Sequence, residues 1–328
     1  MIWRILKICW STPMMAASSM HQDVVIIGAS GFIGRHLVNK CHQALRILAH
    51  KSTVTARDQA IVIQGDLFDV PSLQKLITPG STVVNLVYLS QSSLEDNLRA
   101  IANLVQICKA QRAKRIVHCS TAVICGRAME DIITEETVDQ PFDNYEKVKC
   151  AIENALLEQT KDQALELAIL RPTCVFWPHG KNLVMLFNDL SCGANCKNYL
   201  KSCLYNNRTM NLVSVNNVVS ALVFLIEHKM PLRGERFIIS DDESLENNFR
   251  FVEKTILEIL KRPDYLYPRT RCPESILSLI VRAAKKSNIN PRRRFMTSKL
   301  EKFGWKREFF FQSELRQFLE WYARENIS

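Results

Sequence analysis

Asp23-Val24-Val25-Ile26-Ile27-Gly28-Ala29-Ser30-Gly31-Phe32-Ile33-Gly34-Arg35-His36-Leu37 is the stretch that decides the fold. Val24 to Ile27, four apolar residues in a row, read as a buried strand; a glycine-rich turn follows, and then an amphipathic helix. That order aims backbone N–H groups and a helix N-terminus at one point, an arrangement suited to a pyrophosphate. The spacing is G-x-x-G-x-x-G at Gly28, Gly31 and Gly34, not the G-x-G-x-x-G of the older dinucleotide fingerprint. Gly28 permits the tight turn, Gly31 keeps a Cβ out of the phosphate's path, and Gly34 lets the helix approach the strand. Ser30, Phe32 and Ile33 complete the expected cofactor turn.

Outward from this stretch, strands and helices alternate. Leu45–Lys51, Ile61–Leu67, Thr82–Tyr88 and Arg115–Thr121 read as strands, and Ile33–Cys41, Pro71–Ile77, Leu94–Arg112 and Asn144–Glu158 as helices. Such alternation predicts right-handed crossovers and a parallel sheet covered on both faces. The expected fold is a doubly wound, Rossmann-type α/β domain over residues 21–176, with 210–230 returning to it. Residues 177–328 are expected to form a smaller, interleaved α+β substrate lobe. Its elements are helices at Asn182–Leu190, Phe249–Leu260, Ile276–Ala284 and Leu315–Arg324, and a strand at Arg236–Ile239. Residues 1–20 differ in character; a mis-start, a disordered leader and a weak membrane-surface role all remain open for them.

Composition sets outer bounds. The 328 residues are 47% hydrophobic and contain no apolar run of about 18, so stable membrane insertion is not expected and a cytoplasmic protein is. A net charge of +10 comes partly from Lys285-Lys286 and Arg292-Arg293-Arg294, which favours an anionic ligand or a solvated basic face. Nucleic acid is not expected, because no exposed aromatics interleave the basic residues and no binding motif is present. Eleven cysteines, several inside apolar runs, read as free thiols in a reducing compartment. Cys192, Cys196 and Cys203 lack a matching second pair, so no metal is expected.

Chemistry concentrates at a few positions. Tyr145 and Lys149, four apart, share one face of a helix, where an ammonium lowers a phenol's pKa. Ser120 and Thr121 end the preceding strand with two hydroxyls. At the ribose end, His50 and Lys51 stand where an acidic residue would repel a 2′-phosphate, which leans the cofactor toward NADP over NAD. Asp66, in Gly65-Asp66-Leu67, either accepts from the adenine amino group or caps a helix; Leu67 and Leu86 are expected beside the cofactor. His179 and Asn182 line a substrate pocket or a plain loop. Arg208 and the arginine triplet are candidates for a diphosphate clamp, with a solvated loop equally open for the triplet.

With these motifs in order, the chain resembles the extended short-chain dehydrogenase/reductase family, in its nucleoside-diphosphate-sugar epimerase/dehydratase branch. The resemblance runs from Asp23 to the C-terminus. It includes Gly28–Gly34, Gly65-Asp66-Leu67, the Tyr145/Lys149 pair, Leu170-Arg171-Pro172, Met210–Ala221 and Leu300…Gly304-Trp305. It implies Thr121, Tyr145 and Lys149 as catalytic residues, with Ser120 and Pro172 on the cofactor side. It implies Thr121 and Tyr145 on the substrate side. Where 4,6-dehydratases of the family place an Asp-Glu pair, this chain has Ala122-Val123, and the cysteine of the 3,5-epimerase/reductases is absent from Ala122. The expectation is therefore an NAD(P)-dependent sugar-nucleotide reductase or 4-epimerase, a homodimer through Leu94–Arg112 and Tyr145–Glu158. A reductase of a non-sugar ketone or alcohol, or a cofactor-binding relative without catalysis, is the alternative.

Overall fold

Apolar strands that alternate with one-sided helices need cover on both faces, and in this computed structural model the cover is helical. The structure describes residues 23–50, 60–162, 164–177, 181–193, 196–270, 272–283 and 290–326. The first half runs β1 (Val24–Ile27), α1 (Phe32–Lys40), β2 (Leu45–Ala49), β3 (Ile61–Gln64), α2 (Val70–Leu76), β4 (Thr82–Asn85), α3 (Leu94–Ala110) and β5 (Arg115–Cys119). A 3-10 turn at Ala122–Cys125, β6 (Ile132–Ile133), α4 (Asn144–Gln159), β7 (Glu166–Pro172) and β8 (Cys174–Phe176) follow. The rest is α5 (Lys181–Ser191), α6 (Cys196–Tyr205), β9 (Leu212–Ser214), α7 (Val215–Glu227), β10 (Arg233–Ile239), α8 (Phe249–Ile259), α9 (Glu274–Ala283), β11 (Arg294–Phe295), α10 (Ser298–Lys302) and α11 (Phe311–Asn326).

Among the described residues, seven parallel strands lie in the order β3-β2-β1-β4-β5-β7-β10. The chain winds outward from β1 in one direction to β3, then restarts at β4 and winds the other way. The switch point between β1 and β4 is where an open α/β sheet leaves a crevice at the strands' carboxyl ends. Side chains on β1 alternate between two cores, as a period of two requires. Val24 and Ile26 pack with Leu37 of α1 and with Val218 and Leu222 of α7. Val25 and Ile27 pack with Leu73 of α2, Leu104 of α3 and Ile152 of α4. A third core, built on Phe176, Phe187, Val252, Leu315 and Phe318, holds α5, α8 and α11 together as a C-terminal helical lobe.

One strand falls on the other side of the lobe boundary from the sequence reading. Arg236–Ile239, assigned to the smaller lobe, is the inner part of β10, which pairs with β7 as the edge of the main sheet. Only Phe237 to Ile239 are buried in it, so its sequence carries the weak signal of an edge strand, and its partner lies some sixty residues away.

Candidate active site

The turn after β1 is shaped by close backbone contacts. Gly28 has a φ of +93°, and a Cβ on Gly34 would lie 2.2 Å from the Gly28 carbonyl oxygen. Only glycine fits there, so α1 sits directly against the turn. The N-cap Gly31 brings no side-chain cap, and the first turn of α1 holds no acidic residue. The N–H groups that open α1 thus stay available for an anion. Ser30 is tied by its carbonyl, which accepts from Arg35 Nε at 2.9 Å. Phe32 and Ile33 pack onto the α1/α7 core. Leu86, whose N–H donates to the Ile27 carbonyl, borders the site of a Cβ on Gly28.

The adenosine end differs from the sequence reading in two ways. Reading Ala49-His50-Lys51 alone left no carboxylate near the ribose position, but the fold brings Asp66 from the end of β3 to 3.9 Å from His50 Nε2. A neighbouring strand supplied the charge that the local sequence lacked. Asp66 neither caps a helix nor stands ready for adenine with both oxygens, since its Oδ1 accepts from the N–H groups of Phe68 (2.6 Å) and Asp69 (3.0 Å). The cap of α2 is Asp69. Leu67 turns its side chain into the core, 5% exposed, and its carbonyl accepts from Asn103. Lys51 and His179, and the side chain of Asn182, lie outside the described residues.

The hydroxyl-bearing end of β5 meets the N-terminus of α4. Asp143 and Glu146 form a capping box: Asp143 accepts from the Glu146 N–H at 2.8 Å, and Glu146 accepts from the N–H of Asp143 at 3.4 Å and of Phe142 at 2.6 Å. This box sets the first turn of α4, which carries Tyr145. Tyr145 lies close enough to Thr121 for the threonine side chain to lower its pKa. The Tyr145 ring stands edge-on to Tyr88, centroids 5.1 Å apart. Thr121 also accepts from the Val123 N–H at 3.4 Å, which opens the 3-10 turn. Thr121, Tyr145 and Lys149 are thus brought together, with Ser120 beside them; the Ser120 Oγ is buried and has no partner.

Lys149 is held at the end of β5. Its ammonium donates to the Cys119 carbonyl at 3.2 Å and lies 5.4 Å from the centre of the Tyr88 ring. Burial outweighs the Thr121 side chain and pushes the Tyr145 phenol up to about 12, while burial lowers Lys149 from its usual range. An i,i+4 pair shares a helix face, and Lys149 on that face reaches the strand end. Ala122 and Val123, which follow Thr121, carry no proton donor.

Sequence reading did not single out Tyr88, Asp139 or Glu153. Arg171 makes bonds of 3.1 Å from Nε to both Glu153 oxygens, and its other nitrogens reach Glu153 and Asp139 at 2.6–3.0 Å. This ties α4 to β7, where Pro172 closes the strand in a buried position. The capping box was readable as Asp143-x-x-Glu146; Tyr88 carries no local signal.

The arginine triplet divides. Arg293 is 2% exposed and donates to the carbonyls of Gly126 (2.8 Å) and Ala128, so it fastens the loop after Thr121 and is no clamp. Its neighbours Arg292 and Arg294 instead line a cavity of about 420 Å³, with Arg208, Asn206, Thr209, Asp131 and Leu277.

A family model described as the NAD dependent epimerase/dehydratase family matches residues 24–240. Over 251 residues the chain is 25% identical to the decarboxylating sterol-4-alpha-carboxylate 3-dehydrogenase of Candida albicans, covering 67% of this chain and 71% of that protein. It is 26% identical over 243 residues to the UDP-glucose 4-epimerase of Vibrio cholerae, covering 68% and 71%. Among solved structures, the Bordetella bronchiseptica enzyme WbmG in complex with NAD and UDP superposes with a TM-score of 0.70 at 18% identity, covering 94% of this chain and 97% of that one.

Proposed function

The chain belongs to the NAD-dependent epimerase/dehydratase family, and on that premise we propose that it is a sugar-nucleotide reductase or 4-epimerase in which Tyr145, Thr121 and Lys149 do the chemistry. The observation that carries this reading is the approach of Tyr145 to Thr121 at the carboxyl end of β5, two strands from β1 and its glycine turn. The residues fit a nicotinamide dinucleotide: α1 opens without a cap, glycine at 34 lets it sit against the turn, and the Ser120 hydroxyl is buried without a partner. Gly28, Ser30, Gly31, Phe32, Ile33 and Gly34 would hold its phosphates; Asp66, Leu67, Leu86, Ser120, Lys149 and Pro172 would border the rest. When bound, such a cofactor supplies or accepts hydride at the substrate carbon.

The side chains divide the remaining work. Tyr145, a phenol whose pKa burial raises, holds its proton at neutral pH and gives it to the substrate oxygen in the reductive direction. Thr121 donates a hydrogen bond to the same oxygen and fixes its position. Lys149, anchored on the Cys119 carbonyl, holds a ribose hydroxyl. With Ala122 and Val123 following Thr121, no carboxylate there can eliminate water, which disfavours dehydration.

Arg208, Arg292 and Arg294 around the 420 Å³ cavity favour an anionic substrate, with a diphosphate the best match to three guanidinium groups. His50 and Lys51 favour NADP, and Asp66 beside His50 opposes them. The likeness to a sterol dehydrogenase supports one second reading, a 3-hydroxy or 3-keto substrate of sterol type. Incubation with UDP-, GDP- and dTDP-sugars under NADH and NADPH absorbance separates these. Turnover without net absorbance change identifies an epimerase, and stoichiometric change a reductase. Turnover of a sterol substrate, with none of any sugar nucleotide, overturns the first reading in favour of the second.

A further inference from the structure

Charge is distributed very unevenly along this chain. Residues 261–294 contain ten Lys and Arg against two Asp and Glu, a net +8 of the whole molecule's +10. Aliphatic side chains in the same segment are left in solvent. On α9, Ile276, Leu279 and Ile280 are exposed, Leu279 by 68% of its surface, whereas Leu277 is 4% exposed and packs on Leu204 and Tyr205. Positions 276, 279 and 280 follow i, i+3, i+4, which puts them on one helix face. In the loop before α9, Leu266 is 96% and Tyr267 72% exposed. Lys261, Arg262, Arg292 and Arg294 are exposed in the same segment.

An exposed apolar helix face marks a partner, and the charge of the segment that carries it says which kind. A second copy of the chain fits poorly, because it would set exposed Lys261, Arg262 and Arg294 against their own copies. Nucleic acid fits poorly too, since aliphatic side chains offer bases no stacking surface. An interfacial helix with apolar side chains on one face and basic residues around it is suited to the boundary of an anionic lipid bilayer. Among the described residues no helix is long and apolar enough to cross a membrane, so the contact is with one leaflet's surface.

We propose that α9 and the Leu266–Tyr267 loop dock the protein on an anionic lipid bilayer, with Ile276, Leu279 and Ile280 entering the headgroup boundary and the surrounding basic residues meeting lipid phosphates. The docking helix is also a wall of the arginine-lined cavity, through Leu277, so docking brings that cavity to the membrane surface. The proposal is independent of which substrate the enzyme takes.

Co-sedimentation of the full chain with vesicles tests it. Vesicles of phosphatidylcholine with roughly one-third phosphatidylglycerol should retain the protein at low salt, at least about tenfold more tightly than phosphatidylcholine alone. Binding should fall steeply by about 0.5 M salt. Ile276→Asp with Leu279→Asp, at two exposed positions, should weaken it by roughly tenfold or more; Lys261→Glu should weaken it less. Absence of binding to the anionic vesicles overturns the proposal, as does binding that the double variant leaves unchanged. So does a double variant that turns a dimer into a monomer in sedimentation velocity while vesicle binding persists, since the face would then be an interface between copies.

Discussion

The Tyr145 hydroxyl is the most informative single group. With 38% of the residue still exposed, partial burial raises its pKa to about 12, so it remains a phenol through the neutral range. The reductive rate should therefore be flat between about pH 6 and 8, while oxidation, which needs the phenolate, should rise about tenfold per pH unit. A reductive rate that falls across that interval would reassign the proton donor. Tyr145→Phe should lose roughly 10²–10⁴ in turnover with dinucleotide affinity kept, checked by steady-state kinetics and cofactor titration. Arg171 makes a different kind of point. It is 3% exposed between Glu153 and Asp139, so Arg171→Ala leaves Glu153 a buried charge without its partner. The expected cost is about 3–5 kcal/mol in chemical denaturation. Glu153→Gln made in the same background should recover part of that loss.

Elements position these groups, and here sequence and structure compare most directly. A Gly34→Ala Cβ would strike backbone of the turn that precedes α1, so the helix must move outward. A loss of roughly 1–3 kcal/mol is expected, with dinucleotide affinity falling alongside stability. Asp143→Ala removes half of the capping box, at about 1 kcal/mol, and frees the turn that carries Tyr145. Its turnover should drop more than its stability, with dinucleotide affinity unchanged; an unaltered turnover would show that β5 alone positions the tyrosine. What the sequence revealed at this scale was what is contiguous: β1, the glycine turn and α1, and the Thr121 and Tyr145/Lys149 positions within their own elements. What it hid depends on distant strands and loops. Asp66 reaches His50 only because β3 lies beside β2, Arg293 is buried only because β11 joins β6, and β10 enters the sheet only by pairing with β7. The direction of Lys149 was also hidden, because spacing gives a side chain's face and not its reach.

For the molecule as a whole, a buried polar network joins the sheet to the C-terminal segment. Asp241 and Asp242, at the end of β10, accept from Asn217, Asn211, Asn247, Arg307 and the Phe295 N–H. Burial raises Asp241 to about 6 and Asp242 to about 7, from an ordinary 3.8. At these two groups the folded state thus binds protons that the unfolded chain releases, so their contribution to stability is full below the unfolded value and is lost as pH rises through 6 and 7. Thermal midpoints should fall between about pH 5 and 8, and a midpoint that rises over that range would contradict this. The same segment ties down the loop that begins at Thr121, through Arg293 on Gly126 and Ala128 and Asn290 on Met129 and Glu130. Those fasteners lie beyond residue 240, where the family match ends. During synthesis the glycine turn, Thr121, Tyr145 and Lys149 all leave the ribosome long before residues 290–295, and domains begin to fold as they emerge. Dinucleotide binding should therefore appear early on the nascent chain and turnover only near its completion.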